Sequence, residues 1–314
     1  MSSRTIEQLP NWESHDVRDL RPFALLKLIV ADLDGTVLRS SGSELSETIK
    51  SLNRKLSHCK NHVRLTIATG RSVAGVSELL NRLDIRGLPV IVYNGSLVLD
   101  FATQQVICKT IITPSAVGRI LRIVQEIDGC AFAYVFNGPM EWAIHNDDRR
   151  EVVIGWKYNS HSYEEFNRMS VDWRTRYESR EEISPVAMIV DLSKSNVDPA
   201  QLRRDLKCIE QISITGSNKN LIEIRPSGSN KSTALAQLAN NLGISRDEIL
   251  TIGDNDNDCE MLAWAGIGVS VAGASQNAVE SSRYTCRHGV VAGVIEILRL
   301  VIQSKRYLRV LQSL

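Results

Sequence analysis

The cysteines of this 314-residue chain show no pairing pattern. The six of them, at positions 59, 108, 130, 208, 259 and 286, form neither a CxxC pair nor the close spacing of a small disulfide-stabilised domain. Such spacing marks short secreted domains, whereas the thiols of cytosolic proteins stay reduced. We therefore interpret all six cysteines as reduced thiols and predict a cytoplasmic protein.

Excess charge of one sign and long apolar runs are also missing. The chain has 37 Lys and Arg against 36 Asp and Glu, so no broad electrostatic field favours nucleic acid or an anionic membrane. No window approaches the ~18 apolar residues that a membrane span requires. The first 24 residues mix acidic with basic side chains, unlike a secretory signal. We expect a small-metabolite partner, no nucleic acid, no membrane, and a monomer or homodimer.

Predicted strands and helices alternate in the first and last thirds of the chain. Short apolar runs predict buried strands at 28–31, 63–69, 88–93, 248–252 and 267–271. Apolar residues at helical spacing between them predict helices, among them one that begins at Lys231. This order is typical of a parallel sheet with functional groups at the carboxyl ends of its strands. The sequence predicts an α/β fold with a doubly wound, mostly parallel, Rossmann-like core sheet.

The middle of the chain has a different pattern. Strand-like segments follow one another there, including 131–136 and 141–145, and the helices are set apart, which is typical of an α+β unit with an antiparallel sheet. We predict a core at 25–111 and 226–314 and an inserted α+β domain at 112–225. Residues 1–24 are predicted to be an N-terminal extension that is in part disordered. The polar stretch from Asp147 to Ser184 fits no clear element.

Two groups of carboxylates follow predicted core strands. Asp32 and Asp34 come directly after 28–31, and Asp254 and Asp258 lie in the GDNDND loop after 248–252. Carboxylates crowded at the edge of an apolar sheet repel each other and are costly to desolvate, so we expect a cation between them. Oxygen ligands suit Mg²⁺. The sequence predicts a Mg²⁺ site at this edge.

A hydroxyl and an amine accompany these carboxylates. Thr69 ends the second predicted strand and is followed by Gly70, and Lys231 opens a later helix. Because the carboxyl ends of parallel strands share one edge of a sheet, Asp32, Asp34 and Thr69 should lie together. Each of these motifs alone usually marks a solvated turn. Their occurrence together at the ends of core strands is much more specific for a functional site.

The order of these motifs resembles a known family. The segments VADLDGT, IATGRS, YNGSLVLD, NKSTAL and GDNDNDCEMLAWAGIGV resemble the haloacid dehalogenase-like superfamily of aspartate-nucleophile phosphotransferases. The large insertion before Lys231 resembles its Cof-type subgroup, which implies that 112–225 is a cap domain of the C2B type. The resemblance covers residues 27–300. Two departures are Ser232, where glycine is usual, and the segment VAGA at 271–274, where MGNA is common.

The resemblance implies a Mg²⁺-dependent phosphatase that acts on a small phosphorylated metabolite through an aspartyl phosphate. Asp32 would be the nucleophile and Asp34 the general acid and base. The implied metal ligands are Asp32, the Asp34 backbone carbonyl and Asp254, with Asp258 positioning the metal or Lys231. The implied phosphate-binding residues are Thr69, Gly70, Lys231 and Asn257.

Two other functions use the same residue types. A phosphomutase or phosphoryl transferase would pass the phosphoryl group from Asp32 to a sugar. A non-enzymatic receiver-like module also combines Asp, Thr and Lys at strand ends of a parallel sheet. Two features of this chain argue against it: Asp34, which would promote hydrolysis, and the domain inserted at 112–225. The substrate is not identified by the sequence, because specificity would reside between Asp147 and Ser184.

Overall fold

The computed structural model describes residues 6–11, 13, 17–38, 45–59, 63–85, 87–127, 129–136, 151–157, 183–192, 197–215 and 220–312. The chain divides into two compact units. The first, here called the core unit, comprises Met1–Gly70, Val76–Cys108 and Asn230–Leu314, and the second, the inserted unit, comprises Arg71–Gly75 and Lys109–Ser229.

The elements alternate as the hydrophobic pattern predicts in the core unit. The strands within the described residues are β1 (Glu7–Gln8), β2 (Leu28–Ala31), β3 (Arg64–Ile67), β4 (Pro89–Val92), β5 (Leu97–Asp100), β6 (Gln105–Lys109), β7 (Cys130–Phe136), β8 (Glu151–Lys157), β9 (Ala187–Asp191), β10 (Ile212–Thr215), β11 (Leu221–Pro226), β12 (Ile249–Gly253), β13 (Ile267–Ser270) and β14 (Tyr284–Thr285). The helices are α1 (Val17–Ala24), α2 (Leu45–Cys59), α3 (Val73–Arg82), α4 (Pro114–Glu126), α5 (Pro199–Lys207), α6 (Lys231–Leu242), α7 (Cys259–Trp264), α8 (Gln276–Ser281) and α9 (Val290–Gln312).

The core unit contains a six-stranded parallel sheet in the order β1-β14-β13-β12-β2-β3. All four residues of β2 are buried, as expected for a strand covered on both faces. Ala31, the last residue of β2, is in register with Ile252 of β12 and Ile67 of β3. A parallel bridge between Ala68 and Ile91 brings β4 beside β3. The carboxyl ends of β12, β2, β3 and β4 are therefore neighbours at one edge of the sheet.

The N-terminal segment differs from its prediction as a partly disordered extension. β1 pairs with β14 at the edge of the core sheet. Leu20 and Phe23 of α1 are buried, and the Phe23 ring lies 5.5 Å from the ring of Tyr284. Long-range contacts therefore hold these described residues against the core sheet, and partial disorder elsewhere in the extension stays a prediction.

The inserted unit is α+β. Its five-stranded antiparallel sheet has the order β10-β11-β9-β7-β8, and its apolar core includes residues of α4 and α5. Thr113 and Asp198 cap these helices by accepting hydrogen bonds from Ala116 and Ala200. β8 lies within the stretch that the sequence left unassigned, and the predicted strand at 141–145 lies outside the described residues. The predicted fold class, a mostly parallel core sheet with an inserted antiparallel α+β unit, is confirmed.

In the described part of the chain, every helix is too short or too polar to cross a membrane.

Candidate active site

Asp32 lies where β2 leaves the sheet. Its backbone N–H donates to Ile252 of β12 at 2.9 Å, so the main chain is still held by the sheet at this residue. The residue is only 4% exposed. A carboxylate this deeply buried needs charged or hydrogen-bonding partners.

Lys231 supplies the cationic partner. It is the first residue of α6, whose start is fixed by a capping box between Asn230 and Thr233. Its side chain is fully buried, and its Nζ donates to Asp32 Oδ1 at 2.5 Å and to Asp258 Oδ1 at 2.6 Å. A helix start thus places one ammonium group between two carboxylates.

Asp258 holds both Lys231 and its own loop. Its Oδ2 accepts hydrogen bonds from the backbone N–H groups of Asp254 and Asn255, at 3.0 and 3.1 Å. A Cβ on Gly253 would lie 2.6 Å from Asp258 side-chain atoms, so the loop closes this tightly only with glycine there. Because three donors already occupy the Asp258 carboxylate, it is suited to positioning Lys231.

Asp254 is held from the opposite side by the turn after Asp32. The Thr36 hydroxyl, which is buried, donates to Asp254 Oδ1 at 2.7 Å. Gly35 has a φ of +96°, and a Cβ at this position would overlap the Asp254 carboxylate. The glycine and threonine of the DLDGT segment therefore make room for Asp254 and orient it.

The electrostatics of the site reflect this crowding. Ligand atoms of Asp32, Asp254 and Asp258 all lie within 4.8 Å of one another. Burial raises the pKa of Asp32 to about 7, against the opposing effect of Lys231 and reinforced by Asp258 and Asp254. Burial also raises the pKa of Asp254, although the Thr36 hydrogen bond opposes that shift. Burial acts to lower the pKa of Lys231, but Asp258 and Asp32 outweigh it and raise that pKa above its usual range.

The loop after β3 meets a second polar cluster. Thr69 is buried and exchanges backbone hydrogen bonds with the β4 end, donating to Ile91 and accepting from Asn94, each at 2.9 Å. The Asn94 side chain lies against Gly70, and its Oδ1 accepts from Asn257 Nδ2 at 2.9 Å. Gly70 and Asn257, two of the predicted phosphate-binding residues, thus share one neighbour.

Asp34 is placed differently from the other predicted aspartates. It is exposed, and its backbone forms a bridge with Leu38 in the turn after β2. The described three-carboxylate group does not include its side chain. Its predicted roles in proton transfer and, through its carbonyl, in metal binding stay predictions.

The structure brings together Asp32, Lys231, Asp254 and Asp258, and it links Thr69, Gly70 and Asn257 through the end of β4. Two contributing residues received no role from the sequence, Thr36 and Asn94. Thr36 lies within the DLDGT segment, and Asn94 with Gly95 ends a predicted strand in the same way that Thr69 with Gly70 does. A polar residue followed by glycine at the end of a strand could therefore have indicated Asn94 as a site residue.

Comparison with known proteins agrees with this arrangement. The family model described as haloacid dehalogenase-like hydrolase matches residues 29–298. The chain therefore belongs to the haloacid dehalogenase-like hydrolase family, in its Cof-type group.

Relatives and a solved structure match most of the chain. The protein YxeH of Bacillus subtilis strain 168 is 28% identical over 287 residues, covering 87% of this chain and 99% of YxeH. The 5-amino-6-(5-phospho-D-ribitylamino)uracil phosphatase YwtE of the same strain is 25% identical and covers 86% of this chain and 96% of YwtE. A Plasmodium vivax protein described as HAD/COF-like shares the fold with a TM-score of 0.67 at 19% identity, covering 91% of this chain and 99% of that one.

Proposed function

We propose that this protein is a phosphatase that hydrolyses the phosphate monoester of a small metabolite through a phosphorylated Asp32. The observation that carries the proposal is the buried Asp32 at the end of β2, bound to Lys231 and within 4.8 Å of Asp254 and Asp258. Family membership and relatives such as YwtE, which is named as a phosphatase, support the same activity. They weigh against a receiver-like module.

The donor set fits Mg²⁺. The three converging groups are all carboxylates, the ligand type that this hard cation prefers. The pKa values of Asp32 and Asp254 are raised mainly by burial and further by neighbouring carboxylates, and a bound cation would offset both effects. Asp32 and Asp254 would hold the ion with the Asp34 carbonyl, and Asp258 would hold Lys231. A bound Mg²⁺ would supply positive charge that keeps Asp32 ionised and shields the phosphoryl oxygens.

Asp32 performs the substitution at phosphorus in two steps. In the first, its carboxylate oxygen forms a bond to phosphorus, the bond to the metabolite oxygen breaks, and Asp34 gives that oxygen a proton. In the second, a water molecule attacks phosphorus, Asp34 takes a proton from the water, and the bond to Asp32 breaks. Inorganic phosphate leaves, and both aspartates return to their starting states.

The remaining polar groups stabilise the charge on the transferring phosphoryl group. The Lys231 ammonium lies beside the attacking carboxylate, and the Thr69 hydroxyl, the Gly70 N–H and the Asn257 amide would donate to phosphoryl oxygens. Donors fixed before the reaction need no reorganisation while charge develops.

The family and its relatives support the proposed substrate class. The name of YwtE specifies a phosphorylated ribityl compound, which is a small phosphate monoester of the kind proposed here. Residues 147–184, where the sequence placed specificity, are described only at 151–157 and 183–184. We therefore propose the substrate as a class, a small phosphorylated metabolite.

The test is hydrolysis of a panel of phosphorylated metabolites with and without EDTA, by the natural protein and by Asp32→Asn. We expect phosphate release that EDTA abolishes and that Asp32→Asn lowers by at least about a thousandfold. Release of an isomerised sugar phosphate in place of inorganic phosphate would indicate a mutase.

Asp256→Asn is the matched control. Asp256 lies in the same loop as Asp254 but is exposed, and its carboxylate accepts from Ser275 and Asn277. Its substitution should leave turnover within about twofold. Phosphatase activity that survives in Asp32→Asn would refute the proposal.

A further inference from the structure

The geometry points to Asn94 as a positioning residue for the phosphate-binding side of the site. We propose that its amide fixes the orientation of Asn257 and the place of Gly70, so that its loss weakens phosphate binding. This inference rests on the proposed function, because it takes Gly70 and Asn257 as groups that contact the phosphate.

The backbone at Asn94 is strained. Directly after β4, Tyr93 and Asn94 both have a φ of 51° and Gly95 has a φ of 101°, so three consecutive residues are left-handed. A left-handed conformation is unfavourable for most residues other than glycine, and asparagine tolerates it better than tyrosine does. Strain of this kind persists where surrounding contacts impose it, and it concentrates at functional sites.

Three contacts impose the conformation of Asn94. The residue is 3% exposed, and its N–H donates to the Thr69 carbonyl at 2.9 Å. Its Oδ1 accepts from Asn257 Nδ2 at 2.9 Å. Its Nδ2 would lie 2.8 Å from a Cβ on Gly70, so the amide rests on the Gly70 backbone. One buried side chain therefore connects the loop after β3 with the GDNDND loop.

The next residue extends this contact to the start of α6. A Cβ on Gly95 would overlap the Asn230 carbonyl and would lie 2.9 Å from the Lys231 backbone nitrogen. The left-handed segment 93–95 thus abuts the helix start that places Lys231. The segment 93–95 therefore contacts the loop after β3, the GDNDND loop and the start of α6, the three segments that would surround the phosphate.

The bond to Asn257 has a directional consequence. An amide nitrogen carries two hydrogens, and one of those on Asn257 Nδ2 points to Asn94. This fixes the rotation of the Asn257 amide, so that its second hydrogen keeps a defined direction. Without Asn94 the Asn257 amide would be free to rotate, and its second hydrogen would point to the phosphate for only part of the time.

The variant Asn94→Gly distinguishes a role of Asn94 in positioning Asn257 and Gly70 from a purely structural role. Glycine adopts the left-handed conformation without strain, so Asn94→Gly keeps the backbone and removes only the amide, and a purely structural role predicts a lower thermal midpoint with KM unchanged. The positioning role predicts that KM, and the inhibition constant for inorganic phosphate, rise about tenfold, the effect of one hydrogen bond to a charged ligand. We expect kcat to change less than KM.

A second variant tests whether Asn94 acts through Asn257. Asn257→Ala should raise the same two constants, and adding Asn94→Gly to it should have little further effect, because the shared contact is already lost. Equal and additive effects in the double variant would overturn the inference. So would an unchanged KM and an unchanged phosphate inhibition constant in Asn94→Gly.

Asn53→Ala is the matched control. Asn53 also joins two segments of the core unit, donating to the Arg82 carbonyl at 2.7 Å and accepting from Asp84 at 2.8 Å, before β4 rather than after it. Its loss should lower the thermal midpoint and leave KM unchanged.

Calorimetric binding of inorganic phosphate to the natural protein and to Asn94→Gly keeps this test independent of turnover. If the natural protein binds phosphate without hydrolysing any ester, the proposed function fails while weaker binding by Asn94→Gly still supports the inference. If the natural protein binds no phosphate, the inference fails as well.

Discussion

At the scale of single residues, the central feature of the site is the buried ion pair between Asp32 and Lys231. Lys231 is fully buried, and its ammonium touches both Asp32 and Asp258. Removing one partner of such a group leaves an uncompensated buried charge, which is why these residue types occur together. Even so, burial keeps the pKa of Asp32 near 7. A carboxyl group with this pKa is expected to be partly protonated at neutral pH in the metal-free protein.

This raised pKa predicts that Mg²⁺ binding depends on pH. Under the proposed function the ion would bind the ionised carboxylate, so below about pH 7 its binding would displace a proton from Asp32. The apparent affinity should increase as pH rises, by up to about tenfold per unit below pH 7, and level off above it. Titration calorimetry in two buffers of different ionisation enthalpy measures the affinity and the number of protons released.

The control for this prediction is Asp32→Asn, which has no titratable group at position 32. It should bind Mg²⁺ more weakly and release fewer protons than the natural protein, with an affinity that varies less over the same range. An affinity of the natural protein that stays constant between about pH 6 and 8 would contradict the prediction.

At the scale of elements, the turn after β2 is shaped to admit Asp254. Gly35, with its φ of +96°, leaves the space that the Asp254 carboxylate fills. Gly35→Ala should lower the free energy of unfolding by about 1–2 kcal/mol through backbone strain, and the added Cβ should also displace Asp254. We expect the Mg²⁺ concentration for half-maximal activity to rise by at least about tenfold, since one carboxylate ligand is moved.

Gly87→Ala provides a comparison with the same backbone conformation. Gly87 has a φ of +86°, but a Cβ there would have no atom within 4 Å. Gly35→Ala should lose at least as much stability as Gly87→Ala in urea unfolding, because the strain is similar and the overlap with Asp254 is added, and only Gly35→Ala should lose metal affinity. An equal Mg²⁺ requirement in both would show that the space beside Asp254 does not matter.

The elements were also where the sequence was most informative. The apolar run Leu28–Ala31 predicted a doubly covered strand because burial on both faces leaves no polar position. Parallel register then placed Asp32, Thr69 and the GDNDND loop at neighbouring strand ends. The hydrogen bond from Asn257 to Asn94 was not predictable, because it joins residues that lie far apart in the sequence.

At the scale of the whole molecule, the N-terminal segment makes contacts that the sequence did not indicate. β1 has only two residues, too few for a periodic pattern, and its partner β14 lies at the other end of the chain. Arg287 adds a long-range contact, donating to the Leu9 carbonyl at 2.7 Å. Pairing at such sequence separation carries no local signal, so the segment was interpreted as an extension.

These contacts predict that the N-terminal segment contributes to the stability of the core unit. Leu9 is 1% exposed, and its N–H donates to the Thr285 carbonyl at 3.0 Å. Leu9→Ala removes a buried side chain and should lower the free energy of unfolding by about 2–4 kcal/mol. Leu25→Ala, where the leucine is 58% exposed, should change it by less than about 0.5 kcal/mol. Urea unfolding measures both, and a Leu9→Ala protein as stable as Leu25→Ala would mean that the segment detaches in solution.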